Sequence, residues 1–212
     1  VMDSSMTDSF FTSFYSTGGK GMIDRSTGGN LYASCHFDRT NANGAGITLQ
    51  KQGASDKQVV LSCCYFDVNS SYGILLDNDT ATAEDWFKPV INGCVFRNSG
   101  SGATADIYAK STTYVAKGGI ISACSFSAIA EPVKVDANWR HISVVNSLFP
   151  NDLLQSALDY HDKYNPFINT NGIRVNGVIA TSGSKTVYGQ NNTAGFFQSG
   201  DDTSAGVALG AI

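Results

Sequence analysis

The sequence predicts an all-β chain that folds as a right-handed parallel β-helix, a solenoid of about five to six coils. A short helix and a small C-terminal β-rich region are predicted to follow the last coil. Two observations predict this fold. Gly, Ser, Thr and Asn make up more than a third of the 212 residues while glutamate occurs only twice, which favours strands and turns over helices. In addition, a short motif recurs about every 23 to 30 residues, and such periods are typical of repeat architectures.

The recurring motif consists of an apolar residue, small residues, one variable residue and a phenylalanine. Four copies have a cysteine two positions before the phenylalanine: residues 32–37, 61–66, 91–96 and 121–126. Two further copies, 6–11 and 144–149, have a serine at that position. Because stacked coils lie about 4.8 Å apart, equivalent residues should form internal ladders. The ladders are predicted to contain Phe11, Phe37, Phe66, Phe96, Phe126 and Phe149, beside Cys35, Cys64, Cys94 and Cys124.

The predicted coils occupy residues 1–150, and we expect them to continue upstream of residue 1 because the first repeat begins near Met6. A capping or linker helix is predicted over 151–163, with Leu153, Leu154 and Leu158 on one face. Residues 164–212 contain short strands rich in Gly, Asn, Ser and Thr and are predicted to pair with other subunits.

Composition and charge exclude several functions. The formal net charge of −4 provides no basic footprint for nucleic acid. No apolar run is long enough to insert into a membrane, and no phosphate-binding loop or cofactor motif occurs. The cysteines are predicted to be free, buried packing residues, since a linear column lacks the tetrahedral convergence that zinc requires. No histidine is spaced from cysteine or carboxylate in a metal pattern, so neither metal nor cofactor is predicted.

Four aspartates are the candidate catalytic residues, because outward positions on successive coils fall into columns. Asp38 and Asp67 follow two ladder phenylalanines and should lie roughly 5 Å apart, and Asp77 and Asp136 should lie roughly 9–10 Å apart. These separations approach those of retaining and inverting glycosidases. The alternative is that Asp67–Arg97 and Asp77–Lys110–Asp136 are solvated ladders of alternating charge, which stabilise only marginally.

Carbohydrate binding is predicted for an acidic and aromatic group of side chains. The long connection from Leu76 to Ile91 carries Glu84, Asp85 and Trp86, and sugar rings stack on indole while their hydroxyls bond to carboxylates. The alternative is that Trp86 and Phe87 fold back over the coil edge. The other candidate residues for substrate binding are Arg97 and Tyr108, and Tyr72, Tyr114 and Trp139 would extend the surface along the shaft.

An apolar side stripe is predicted where Val60, Val90 and Ile120 precede the repeated motif. These positions should point outward, and continuous exposed apolar surface normally marks a contact site. Three identical shafts side by side would bury the stripe, so the sequence predicts a homotrimer.

The repeats resemble those of the pectin-lyase-like superfamily, as in VVLSCCYFDVNSSYGILLDN at 59–78 and GIISACSFSAIAEPVKVDAN at 119–138. With the apolar stripe and the change of pattern after 150, the chain most resembles a fragment of a bacteriophage tailspike or capsule depolymerase. The resemblance implies a virion tail or extracellular protein that binds bacterial surface polysaccharide, O-antigen or capsule, and often depolymerises it by hydrolysis or elimination. The superfamily's calcium-binding aspartate cluster and its Asp-Asp signatures have no match within the coils. If the protein cleaves its ligand, the alternative to the four aspartates is a catalytic acid and base upstream of residue 1.

Two other functions fit the same pattern. A structural shaft or adhesin segment would share the coils but perform no chemistry. A secreted monomeric lyase or hydrolase acting on pectin-like chains would need no trimer.

Overall fold

The computed structural model describes residues 8–19, 21–26, 28–41, 44–54, 56–83, 85–97, 105–126, 132–136 and 138–148. It also describes the backbone of four strands, Met2–Ser4, Phe167–Ile168, Lys185–Asn191 and Ala194–Gly200. The predicted helix over 151–163 lies outside the described residues. No helix among the described residues is long and apolar enough to cross a membrane.

The chain winds through three parallel sheets in a fixed order, which confirms the predicted β-helix. Sheet A contains β1 (Met2–Ser4), β4 (Met22–Asp24), β7 (Ala45–Gln50), β10 (Tyr72–Asp77), β13 (Ala105–Lys110) and β16 (Val133–Val135). Sheet B contains β2 (Phe10–Thr12), β5 (Asn30–Ala33), β8 (Lys57–Ser62), β11 (Asp85–Asn92), β15 (Ile120–Ser122), β18 (Ser143–Val145) and β19 (Phe167–Ile168). Sheet C contains β3 (Tyr15–Thr17), β6 (His36–Asp38), β9 (Tyr65–Asp67) and β12 (Val95–Arg97).

Two smaller pairings complete the described strands. β14 (Ala116–Lys117) lies between the start of β11 and β17 (Trp139–Arg140), again in parallel. β20 (Lys185–Asn191) and β21 (Ala194–Gly200) form an antiparallel pair within the predicted C-terminal region. Parallel pairing between β18 and β19 extends sheet B to residue 168.

Stacked aromatic rings fill the interior. Phe37, Phe66, Phe96 and Phe126 follow one another with centroid distances of 5.1, 4.9 and 5.3 Å and nearly parallel planes. The ladder arises because parallel pairing aligns Phe37 with Phe66 and Phe66 with Phe96. The inward residues of sheets A and B, such as Ile74 and Leu61, are fully buried around it. Phe149 lies outside the described residues.

The first repeat does not follow the predicted register. Phe11 pairs with Tyr32 in sheet B and stacks on it at 4.8 Å, while Ser16 occupies the position of Phe37 in sheet C. Phe14 packs against the Phe37 ring from one position before β3, where later coils carry cysteine. The prediction that Phe11 begins the phenylalanine ladder is therefore wrong, because the motif in the first coil lies five residues further along the chain than 6–11 indicated.

A one-residue left-handed turn sets the corner between sheets B and C. The backbone φ is positive at Ser13, Ser34, Cys63, Gly93, Ala123 and Asn146, one residue of each of six coils. A single left-handed residue redirects the chain from sheet B into sheet C without a loop, and glycine and asparagine tolerate this conformation best. The following residue points inward, which buries Cys35, Cys64, Cys94, Cys124 and Ser147.

The cysteine column is free of disulfides, as predicted. Each inward thiol lies near a backbone carbonyl of the preceding coil, for example Cys64 Sγ at 3.5 Å from Tyr32 O and Cys94 Sγ at 3.8 Å from Leu61 O. Cys63 occupies the left-handed corner itself and is exposed.

Gly73 allows one sheet to approach the ladder closely. A Cβ at this position would meet the Phe96 ring at 2.7 Å and the Asp106 carbonyl at 2.9 Å. The glycine therefore serves close packing inside a strand rather than turn flexibility, since its φ is not positive.

A buried polar network lies at a corner between sheets A and B, where Asp24 ends β4 and Lys57 begins β8. Lys57 Nζ lies 3.1 Å from Asp24 Oδ1, and both side chains are nearly inaccessible to solvent. The Tyr32 hydroxyl and the Asn30 amide donate to the other oxygen of Asp24. Burial acts to raise the pKa of Asp24, but Lys57 and hydrogen bonds from Ser26 and Asn30 outweigh it and hold the pKa below its usual value. The two buried charges thus satisfy each other.

Phe66→Ala tests the ladder. The substitution should lower the free energy of unfolding by about 3–5 kcal/mol, because it removes the contacts with Phe37 and Phe96 and leaves a cavity. Urea denaturation measures the change. Leu148→Ala is the matched control, since Leu148 is 53% exposed, and an equal loss in both variants would contradict the ladder.

Thiol labelling tests the cysteine column independently. In the native protein only Cys63 should react with a thiol reagent such as DTNB, and Cys63→Ser should abolish the fast reaction. All five cysteines should react after denaturation. Rapid labelling of several thiols in the folded chain would show that the column is not internal.

Candidate functional site

The predicted site residues lie on three different faces of the β-helix. Asp38, Asp67 and Arg97 are on the outer face of sheet C, whereas Asp77, Tyr108 and Asp136 are on the outer face of sheet A. Trp86 is on β11, and Glu84 lies outside the described residues, as does the side chain of Asp85. Among the described residues, the predicted substrate-binding residues Trp86, Arg97 and Tyr108 therefore do not form one site.

Tyr108 is the centre of the sheet A face, which we define by Tyr72, Asp77, Asp79, Tyr108, Lys110, Thr112, Lys134 and Asp136. The Tyr72 and Tyr108 rings lie 5.2 Å apart, and Lys134 Nζ lies 4.9 Å from the Tyr108 centroid. Burial and a 2.9 Å hydrogen bond to Asp136 Oδ1 raise the pKa of Tyr108 above its usual value. The hydroxyl therefore stays protonated at neutral pH.

Asp77 and Asp136 flank Lys110 in one column, as the sequence predicted from a separation of two coils. Both oxygens of each carboxylate are engaged. Asp77 accepts from Gln50 Nε2 at 3.0 Å and from the Asp79 amide at 3.0 Å. Asp136 accepts from Tyr108 and from the Ser111 amide at 2.9 Å. These carboxylates fix the turns after β10 and β13 and are poorly placed to exchange protons with a substrate.

Lys110 forms the charged edge of the sheet A face. Its Nζ lies 2.6 Å from Asp79 Oδ2, while the amide and hydroxyl of Thr112 donate to the other oxygen of Asp79. The hydrogen bond from Lys110 lowers the pKa of Asp79 against the opposing effect of burial, and Asp79 raises the pKa of Lys110. Aromatic rings, ammonium groups and carboxylates thus lie side by side on a surface that spans several coils.

Trp86 is 42% exposed on a strand, rather than on a loop as the sequence predicted. Lys88 Nζ lies 5.0 Å from its ring centroid, and the His141 ring is stacked at 6.4 Å. The neighbouring Phe87 points inward and contacts Trp139 at 5.1 Å. Trp139 is fully buried and donates from Nε1 to the Gly118 carbonyl, so the prediction that it extends a binding surface is wrong.

Asp38 and Asp67 are direct neighbours on adjacent coils of sheet C, and Arg97 follows on the third coil. Asp38 is only 5% exposed; its Oδ2 accepts a 2.9 Å hydrogen bond from the Tyr15 hydroxyl, and Arg39 lies 3.5 Å from the same oxygen. A sugar carbon cannot reach so buried a carboxylate, so the pair does not provide an open glycosidase site. The adjacency predicted from the repeat is nevertheless present.

His36 joins these two aspartates, which sequence reasoning missed. It lies two residues before Asp38 on β6 and therefore on the same face. Its ring is held edge-on between Tyr15 and Tyr65 at 4.9 and 4.8 Å. The sequence signal that could have found His36 is its two-residue spacing from Asp38, which places both side chains on the same face of a strand.

Three buried atoms in this group have no hydrogen-bond partner in the protein: His36 Nε2, Asp38 Oδ1 and Asp67 Oδ1. Leaving such a group unsatisfied costs about 1–3 kcal/mol, so three together are unusual. Arg97 is exposed and reaches the Tyr65 hydroxyl at 3.5 Å; this contact and, more weakly, Asp67 raise its pKa.

Comparisons with protein-family models, curated proteins and solved structures found no match to this chain. The parallel strand pairing by itself shows a β-solenoid, which is compatible with the pectin-lyase-like fold and consistent with polysaccharide-binding proteins. Any narrower function has to be argued from the residues of the two outer faces.

Proposed function

We propose that this chain is a segment of a polysaccharide-binding β-helix of the phage tailspike type. Its ligand is a bacterial surface glycan, O-antigen or capsule, and its location is a virion tail or the extracellular space. The observation that carries the proposal is the sheet A face, where Tyr72, Tyr108 and Lys134 lie among paired charges on neighbouring coils.

The chemistry of this face suits an extended glycan. Tyrosine rings offer apolar surface for a sugar ring, and Asp79, Lys110 and Thr112 offer donors and acceptors for hydroxyl groups. Because equivalent positions repeat from coil to coil, the face continues along the shaft and matches a polymer better than a small molecule. Binding is proposed rather than cleavage, because Asp77 and Asp136 are committed to turns and Asp38 is buried.

Tyr108→Ala tests the binding face. The variant should bind a recognised O-antigen or capsular polysaccharide about tenfold more weakly, since an aromatic anchor at the centre of an interface commonly contributes more than 1 kcal/mol. Binding is measured on an immobilised panel of bacterial surface glycans, together with the release of reducing ends. Trp86→Ala is the control on another face. Loss of binding in the control but not in Tyr108→Ala would contradict the sheet A proposal.

Association into a homotrimer is the second part of the proposal. The predicted side stripe of Val60, Val90 and Ile120 lies on successive strands of sheet B. The structure extends it to Leu31 and Phe10 on the two preceding strands. Phe10 and Ile120 are 63% and 47% exposed, although large apolar side chains normally avoid water. Three copies arranged around an axis would cover the stripe and close without a free contact surface.

Phe10→Lys combined with Ile120→Lys tests the trimer. Light scattering should give the mass of three 22.4 kDa chains for the wild type and of one chain for the variant, because buried unpaired lysines oppose association. Val95→Lys is the matched control, as Val95 is an exposed apolar residue on sheet C. A monomeric wild type, or an unchanged trimer in the double variant, would refute this part.

A further inference from the structure

We propose that His36, Asp38 and Asp67 form a binding site for a divalent transition-metal ion of the zinc class. The inference is independent of glycan binding, because the residues lie on sheet C and not on sheet A. One ligand atom from each of the three side chains lies within 4.8 Å of the others.

The separation matches the size of a single coordination sphere. Metal–ligand distances are about 2.0–2.4 Å, so two atoms bound to one ion lie at most about 4–4.8 Å apart. Parallel pairing sets this geometry, because Asp38 and Asp67 are register partners and His36 lies two residues before Asp38. The backbone of sheet C thus places all three side chains on one outer patch.

The unpartnered atoms provide a second, independent observation. Three atoms are shielded from solvent and have no hydrogen-bond partner in the protein: His36 Nε2, Asp38 Oδ1 and Asp67 Oδ1. The Asp38 residue as a whole is more than nine-tenths buried. Protein interiors rarely leave such atoms unpaired. One cation would satisfy all three and would offset the repulsion between two neighbouring carboxylates.

The surrounding tyrosines would hold the ligands in place. The Tyr15 hydroxyl donates to Asp38 Oδ2 and leaves Oδ1 available, while the Tyr15 and Tyr65 rings fix the His36 ring from both sides. Hydrogen bonds and contacts of this kind orient the ligands of metal sites and raise their affinity. A sugar is too large for the same position, whereas an ion is not.

The donor set indicates which metal is preferred. An imidazole with two carboxylates suits zinc, manganese, cobalt or nickel better than calcium or magnesium, which favour oxygen ligands alone. Three protein ligands leave at least one coordination position, and His36 and Asp67 are partly exposed, so water can complete the shell. Arg39, whose side chain is largely exposed, can move away from Asp38 as the ion enters.

Calorimetric titration of the chelator-treated full chain with Zn²⁺ tests the proposal. One ion per chain should bind, with Ca²⁺ much weaker, and Asp67→Asn and His36→Gln should each weaken Zn²⁺ binding by about tenfold or more. At the same Zn²⁺ concentration the melting temperature should rise less in the variants than in the wild type. Circular dichroism verifies that both variants fold.

Two controls separate this site from other ligands for zinc. Asp56→Asn removes an exposed acid just before β8 and should leave the affinity unchanged. Cys63→Ser removes the exposed thiol, and Co²⁺ bound to the wild type should lack the sulfur-to-metal charge-transfer band. Absence of saturable binding, equal affinity in Asp67→Asn and His36→Gln, or loss of binding in Cys63→Ser would overturn the proposal.

Discussion

In-register stacking of parallel strands is the constraint on which the rest of this structure depends. Each coil hydrogen-bonds to the coils on either side, so a side chain meets the same position of its neighbours. Inside, this produces the Phe37–Phe126 ladder and the buried cysteines. Outside, the same stacking forces like charges such as Asp38 and Asp67 together. In-register stacking therefore accounts both for the packed interior and for the neighbouring like charges on the surface.

The interior was largely predictable from the sequence, because Phe66, Phe96 and Phe126 are separated by nearly constant intervals and each follows a small inward residue. The first coil was not, because Ser9-Phe10-Phe11 imitates the motif while Phe14 and Ser16 occupy the actual positions. Only pairing with the neighbouring coil distinguishes the two registers. The pattern with serine in place of cysteine thus places the last coil correctly, where Ser147 is buried, but not the first.

The outer columns were predictable, but their arrangement into sites was not. The repeat aligned Asp38 with Asp67 and Asp77 with Lys110 and Asp136, and the structure has these columns. The repeat shows which residues share a column, but not which sheet carries each column. The prediction therefore grouped Trp86, Arg97 and Tyr108, although they lie on different faces. His36 was missed for the opposite reason, since its partners come from both its own strand and the next coil.

The left-handed corner between sheets B and C determines where residues can be inserted into the chain. Every described coil crosses this edge with one residue, from Ser13 to Asn146, whereas the number of residues between equivalent corners varies. The coils therefore differ in length only at their other two corners, between sheets C and A and between sheets A and B. Foreign peptides or epitope tags inserted beside Gly53 or Thr113 should be tolerated. A single residue added at Ala123 would instead turn Cys124 and Phe126 away from the interior, because side chains alternate between the two faces of a strand.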